Sequence, residues 1–214
     1  MEQTKKRTFT ENMRLWFKGI LDPLARLLIR IGMTPTAITL TGVVGNMAGA
    51  ILIANGQMLW GGILVLVMGP LDALDGTMAR LRGEASNWGA FVDSVSDRYS
   101  ELIIMGGLLY YYAMQPSVLG VMLVFAAAAG SVLVSYTKAR ADSLKFDANI
   151  GLLTRMERYM ILAPGLVLGY FYPMILLAAV AIIAVLANVT AFQRIWKVRK
   201  QGHELLRQLK ENKP

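Results

Sequence analysis

The chain has 214 residues, is 55% hydrophobic and has a mean hydropathy of +0.47; that is too apolar for an ordinary soluble domain, and the apolar residues fall in separate blocks of roughly 20. Its 22 Lys and Arg against 14 Asp and Glu give a net charge of +8, but the cations hug the ends of the apolar blocks, which argues against nucleic-acid binding and suits an anionic membrane surface. Cysteine is absent, so disulfides and thiolate metal sites are excluded and any metal chemistry must use oxygen ligands.

The first 17 residues are basic and lack both a compact apolar core and a small-residue cleavage site, so they do not read as a removable signal peptide. Over 10–31, Arg14, Lys18, Asp22, Arg26 and Arg30 recur every four residues opposite Leu15, Phe17, Leu24, Leu27 and Ile31. That double periodicity predicts an amphipathic helix lying in the membrane interface, with Thr8 and Glu11 as a capping box at its start. Apolar stretches then follow at 37–55, 58–81, 89–114, 117–140, 156–170 and 173–196. Each is long enough, or nearly so, to cross about 30 Å of hydrocarbon as a helix. The expected fold is therefore an all-α membrane protein, one domain over 1–214, with six transmembrane helices after the interfacial helix and a polar tail at 198–214. Six spans put both termini on one side. The turns at 55–57, 115–117 and 169–173 contain no Lys or Arg, whereas the other connections and both termini are basic, so the positive-inside rule puts termini and charged loops in the cytoplasm.

Two of these spans carry aspartates. The second ends Leu71-Asp72-Ala73-Leu74-Asp75-Gly76-Thr77-Met78-Ala79-Arg80, and the third opens Gly89-Ala90-Phe91-Val92-Asp93-Ser94-Val95-Ser96-Asp97. Spacings of i,i+3 and i,i+4 put each pair on one helix face, and two antiparallel helices joined by a short loop bring the pairs together. Four clustered carboxylates cannot all stay ionised without counter-charge. One or two divalent cations supply it, and all-oxygen ligation selects hard ions such as Mg²⁺ or Mn²⁺, which are suited to phosphoryl transfer. Gly76 and Gly89 leave room for a ligand or a neighbouring helix, Arg80 offers a fork for phosphate oxygens, and Ser86 adds a hydroxyl from the connecting loop. Gly45 and Gly49 read as helix-packing residues, and His203 as a solvated residue of the tail. Intramembrane aspartates also mark ion pathways, so a cation transporter is the alternative of another class.

The segment from Asp72 to Asp97 resembles, without a departure, the D-x2-D-G-x2-A-R-x8-G-x3-D-x3-D pattern of the CDP-alcohol phosphotransferases. The resemblance implies a six-helix membrane fold, usually dimeric, with a two-metal site at the cytoplasmic end. Asp72, Asp75 and Asp93 are then expected to hold one ion, and Asp72, Asp93 and Asp97 the second. Asp97 is also expected to be the general base for the acceptor hydroxyl, with Gly76, Arg80, Ser86, Thr36 and Thr39 contacting the CDP moiety. Cations at 138–140, 155–158 and 194 suggest an anionic acceptor. The surroundings of Lys138, the Glu157-Arg158 pair, Gln193-Arg194 and the run from Asp22 to Arg26 are similar to the phosphatidylinositol phosphate synthases within the family. That similarity implies transfer from CDP-diacylglycerol to inositol phosphate, with Lys138, Arg158 and Arg194 gripping its phosphate. Glycerol phosphate is the alternative acceptor, and a membrane-anchoring role is the alternative for the cations.

Overall fold

A computed structural model describes residues 9–84 and 86–211, apart from the side chains of residues 9–18 and 20. Thr8 and the side chains of Glu11, Arg14 and Lys18 therefore lie outside the described residues, and with them the expected capping box. Among the described residues the chain is all-helical, with no strand: α1 (Phe9–Arg30), α2 (Pro35–Ala54), α3 (Met58–Arg82), α4 (Asn87–Met114), α5 (Val118–Ser143), α6 (Arg155–Gly169) and α7 (Pro173–Glu211).

The helix boundaries have local causes. Thr34 accepts from the Ala37 N–H with Pro35 in the first turn of α2, where a missing N–H costs nothing. Gly83, at φ +68°, closes α3 in the left-handed conformation that glycine adopts without strain. Ser86 and Ser117 cap α4 and α5 through the N–H groups of Gly89 and Gly120. At α6, Glu157 reaches back to the Thr154 N–H at 2.5 Å and also takes its hydroxyl, the reciprocal cap expected of Thr-x-x-Glu. α7 runs for 39 residues, about 58 Å at 1.5 Å per residue. The expected polar tail is thus helical from 198 to 211, continuous with the last apolar helix; it holds strong helix formers and no proline.

Helix neighbours form a closed ring. α2 packs on α3 and α4, α4 on α5, α5 on α7, α7 on α6, and α6 returns to α3, while α1 packs against α3 from outside. One apolar core threads the ring, with Ile53, Val65, Met105, Leu108, Val124, Leu166 and Ile183 drawn from all six helices. Gly49 and Gly61 let α2 and α3 approach backbone to backbone, since a Cβ on Gly61 would sit 2.8 Å from the Gly49 carbonyl. Gly45 faces Met68 in the same seam, as the packing reading expects. α1 buries Ala25 with Leu21 and Leu28 against Ile38, Leu74 and Met78. Leu24 and Leu27 of α1, and Ile31 just after it, stay exposed.

α2, α3, α5 and α7 are long and apolar enough to cross a membrane. The ring also turns Val44, Ile51, Trp60, Met122, Phe125 and Phe192 outward, a surface that lipid tolerates and water does not. These features make the chain an integral membrane protein. α4 and α6 correspond to the other two expected spans. α4 carries Asp93, Asp97, Arg98 and Glu101, and α6 has only 15 residues, about 22 Å.

Candidate metal and phosphate site

Asp72 and Asp75 lie within the last three turns of α3, and Asp93 and Asp97 within the first three turns of α4. α3 and α4 each pack chiefly against α2, and beside that shared partner their carboxylates meet. Carboxylate oxygens of Asp72, Asp75 and Asp93 lie within 4.8 Å of one another. Asp97 is buried beside Asp72 and Asp93.

Asp75 is oriented on both sides: the Thr39 hydroxyl donates to one oxygen at 2.5 Å and the Gly76 N–H to the other at 2.5 Å. α2 thus contributes a buried positioning hydroxyl. Upstream, Pro70 lacks the N–H that would satisfy the Leu66 carbonyl. The Tyr159 hydroxyl from α6 repairs that gap. It accepts from the Gly69 N–H at 3.1 Å and donates to the carbonyl of Val65 or Leu66, at 2.7 and 2.8 Å. A Cβ on Gly69 would strike the Tyr159 ring. The turn holding Asp72 and Asp75 is therefore tied to α6.

α6 also reaches the acids directly. Arg155 Nη1 donates to Asp72 Oδ2 at 2.6 Å, and Nη2 lies 2.7 Å from Asp97 Oδ1. The second contact is off the hydrogen-bonding direction and leaves Asp97 Oδ1 buried without a donor. The donor set suits a hard divalent ion. Ligand oxygens on opposite sides of Mg²⁺ stand about 4.2 Å apart, given bonds of about 2.1 Å, so three oxygens within 4.8 Å need only a small closure, and the orphaned Asp97 oxygen offers another ligand.

Arg80, in the last turn of α3, donates to Thr77 at 3.0 Å, and its Nη1 lies 3.5 Å from where a Gly76 Cβ would stand. Apart from Arg80, a Cβ at Gly76 would meet open space, and one at Gly89 only the Ser86 hydroxyl at 3.4 Å. Both glycines leave backbone accessible beside the acids. Thr36 is exposed at the start of α2, whereas Thr39 is turned inward to Asp75.

Lys138, Arg158 and Arg194 come from α5, α6 and α7 and all reach one connecting segment, 149–153. Lys138 donates to the Asn149 side chain at 2.7 Å and pairs with Asp142 at 3.2 Å. Arg194 donates to the carbonyls of Ile150 and Val134 at 2.9 and 2.5 Å. Arg158, only 2% exposed, is bidentate to Glu101 at 2.7 and 2.9 Å, with Nη1 3.4 Å from the Leu153 carbonyl. Thr190 holds the same segment by accepting from the N–H groups of Leu152 and Leu153. Arg158 and Arg194 are buried, which removes the reading of those two as headgroup anchors.

Sequence reasoning placed Arg155 among the cations that suggest an anionic acceptor, not against the aspartates, and assigned no role to Tyr159, Glu101 or Thr190. Glu101 alone left a signal, an acid inside an apolar run; the others depend on contacts spanning 37 to 94 residues.

Fold and site together define a helical membrane protein with an acidic cluster able to hold a divalent ion between its helices. The chain belongs to the CDP-alcohol phosphatidyltransferase family, whose model matches residues 32–196. It is 37% identical over 210 residues to a phosphatidylinositol phosphate synthase of Streptomyces avermitilis, covering 93% of this chain and 86% of that protein. A protein of the same name from Mycobacterium marinum is 35% identical over 192 residues, covering 86% and 82%. The crystal structure of Mycobacterium tuberculosis phosphatidylinositol phosphate synthase with CDP-DAG bound superposes with a TM-score of 0.78 at 33% identity, covering 84% of this chain and 93% of that one. The same enzyme in complex with manganese and citrate gives a TM-score of 0.77 at 33% identity, covering 83% and 88%.

Proposed function

We propose that the protein transfers the phosphatidyl group of CDP-diacylglycerol to inositol phosphate, giving phosphatidylinositol phosphate and CMP. The observation that carries this reading is the pairing of an acidic cluster with three cations that meet on one segment. The relatives named for this reaction, one of them crystallised with CDP-DAG and with manganese, support it.

In this reading Asp72, Asp75 and Asp93 hold one Mg²⁺ or Mn²⁺, and Asp72, Asp93 and Asp97 a second. Bound there, the ions neutralise charge on the diphosphate. Asp97 takes the proton of the acceptor hydroxyl as its oxygen attacks the phosphatidyl phosphorus, and the bond to CMP breaks. Arg80 donates to diphosphate oxygens, and the open backbone at Gly76 and Gly89 lets the nucleotide approach. Ser86 and Thr36 contribute hydroxyls at that mouth, while Thr39 acts through Asp75. Lys138 and Arg194 bind the acceptor phosphate. Arg158 adds its charge while anchored to Glu101.

The same reading makes the chain one domain with α2 to α7 as six spans, α1 in the interface, and the site and both termini in the cytoplasm, assembled as a homodimer. Its support is the positive charge at one set of helix ends and the apolar outer surface.

The test is CMP release by purified protein in vesicles containing CDP-diacylglycerol, with Mg²⁺ or Mn²⁺ and with inositol phosphate, glycerol phosphate or free inositol as acceptor. Inositol phosphate should be the best acceptor and free inositol poor, since it lacks the phosphate the cations would hold. Faster turnover with glycerol phosphate would keep the family, the ions and the base but sink the acceptor assignment.

A further inference from the structure

Four acids meet at this site, and one fork of positive charge lies across two of them. Arg155 touches Asp72 of α3 and Asp97 of α4 with different nitrogens, at 2.6 and 2.7 Å. Its side chain is 41% exposed and sits on a long stem, so it can leave the acids without unpacking the core. Asp72 and Asp97 are two of the three acids read above as ligands of the second ion. A guanidinium and a divalent cation cannot sit on the same oxygens: Asp72 Oδ2 already accepts from the fork, a guanidinium nitrogen lies 2.7 Å from Asp97 Oδ1, and two cations at that spacing repel.

We propose that Arg155 is a placeholder cation, which holds Asp72 and Asp97 together while no divalent ion is bound and is displaced when the ion enters. The proposal rests on the reading of these aspartates as metal ligands. Metal affinity is then set by competition with a residue of the protein itself. The acids keep nearly the same arrangement with and without metal, which spares the site the repulsion that would otherwise splay α3 from α4. Arg155 is a positioning residue in this account: it acts on the ligands and not on the substrate.

Mn²⁺ binding to the full-length protein in detergent, followed by the electron paramagnetic resonance of free Mn²⁺, decides the matter. Arg155→Gln should bind Mn²⁺ roughly tenfold more tightly than the parent, the scale of one charge-assisted contact. Arg155→Lys, a point charge that cannot span both acids, should fall between. Arg82→Gln removes a cation whose partner among the described residues is Glu84 and should shift affinity less than about twofold, as expected for a screened charge. In EDTA, Arg155→Gln should melt below the parent, and Mn²⁺ should close that gap.

Unchanged or weaker Mn²⁺ binding by Arg155→Gln would overturn the placeholder and leave the metal ligands standing, as would an equal shift in Arg82→Gln or a melting gap that Mn²⁺ does not close. If Arg155→Gln fails to fold, the Arg155→Lys comparison decides by the same criterion. Parent protein that binds no Mn²⁺, or binds it equally after Asp72→Asn, would overturn the metal reading itself.

Discussion

Replacing Arg158 with Ala should cost the protein stability before it costs anything else. The guanidinium is 2% exposed and bidentate to Glu101, itself 15% exposed, so truncation leaves a carboxylate inside the ring without its partner. Removing one member of a buried pair costs about 3–5 kcal/mol, and the residual exposure of Glu101 argues for the lower end, about 3 kcal/mol. For a chain of this size that corresponds to a fall in melting temperature of roughly 6–12 °C. Intrinsic tryptophan fluorescence in detergent reads it; thiol-reactive dyes report nothing on a chain without cysteine. The double variant Arg158→Met, Glu101→Leu removes both charges and should recover most of the loss, because apolar replacement of a buried pair is close to neutral. Its CMP release with inositol phosphate should stay low if the Arg158 charge also serves the acceptor. A single variant melting within 2 °C of the parent, or a double variant no better than the single, would refute the reasoning.

Asp93→Asn, like Asp72→Asn, should abolish Mg²⁺- or Mn²⁺-dependent CMP release while leaving helicity and detergent extraction unchanged, and near-normal turnover at millimolar Mg²⁺ would contradict the two-ion site. Asp97→Asn should still bind CDP-lipid yet lose roughly 10²–10⁴-fold in turnover, the usual worth of a general base; a twofold loss would send the search for the base elsewhere. Tyr159→Phe removes the hydroxyl that serves Gly69 and the carbonyls beside Pro70 and should destabilise by about 1–3 kcal/mol, with faster amide exchange at Gly69 as its local mark. In the 144–154 connection, the Lys197 ammonium and the Asn149 N–H hold the Asp147 carboxyl below its usual range. Because its folded value is depressed, that contribution is present above about pH 4 and is lost as pH falls further. Amide exchange of the segment should therefore rise below about pH 4 in the parent and show no such step in Asp147→Asn.

The helices were legible because apolar blocks of bilayer length are separated by turns that announce themselves. Predicted limits of 58–81 and 173 for the start of the last block stand beside observed helices at Met58–Arg82 and from Pro173. The end of α7 was not legible from hydropathy, which falls at 196 while helix propensity does not. The aspartates were legible for a different reason: within one helix, spacing alone fixes which side chains share a face. Nothing of that kind reveals Arg155, whose partner Asp72 lies 83 positions away. Thr39 shows the limit in another form. The resemblance assigned it to the CDP moiety and the structure shows its hydroxyl on Asp75; a hydroxyl has no sequence mark that separates contact with a ligand from contact with a carboxylate.

A closed ring imposes an order on synthesis. α4 is made before α6, and Glu101 precedes Arg158 by 57 residues. At about 5–20 residues per second the acid waits on the order of 3–10 s for its partner, and a lone carboxylate in a helix centre costs roughly 2.5–3.5 kcal/mol on insertion scales. α4 therefore has reason to remain at the insertion machinery, or shielded against α2 and α5, until the first turn of α6 emerges. The ring is closed last by α7, which joins α5 to the 15-residue α6, and a nascent chain stalled before Arg155 should be held as an open arc that quality control can recognise.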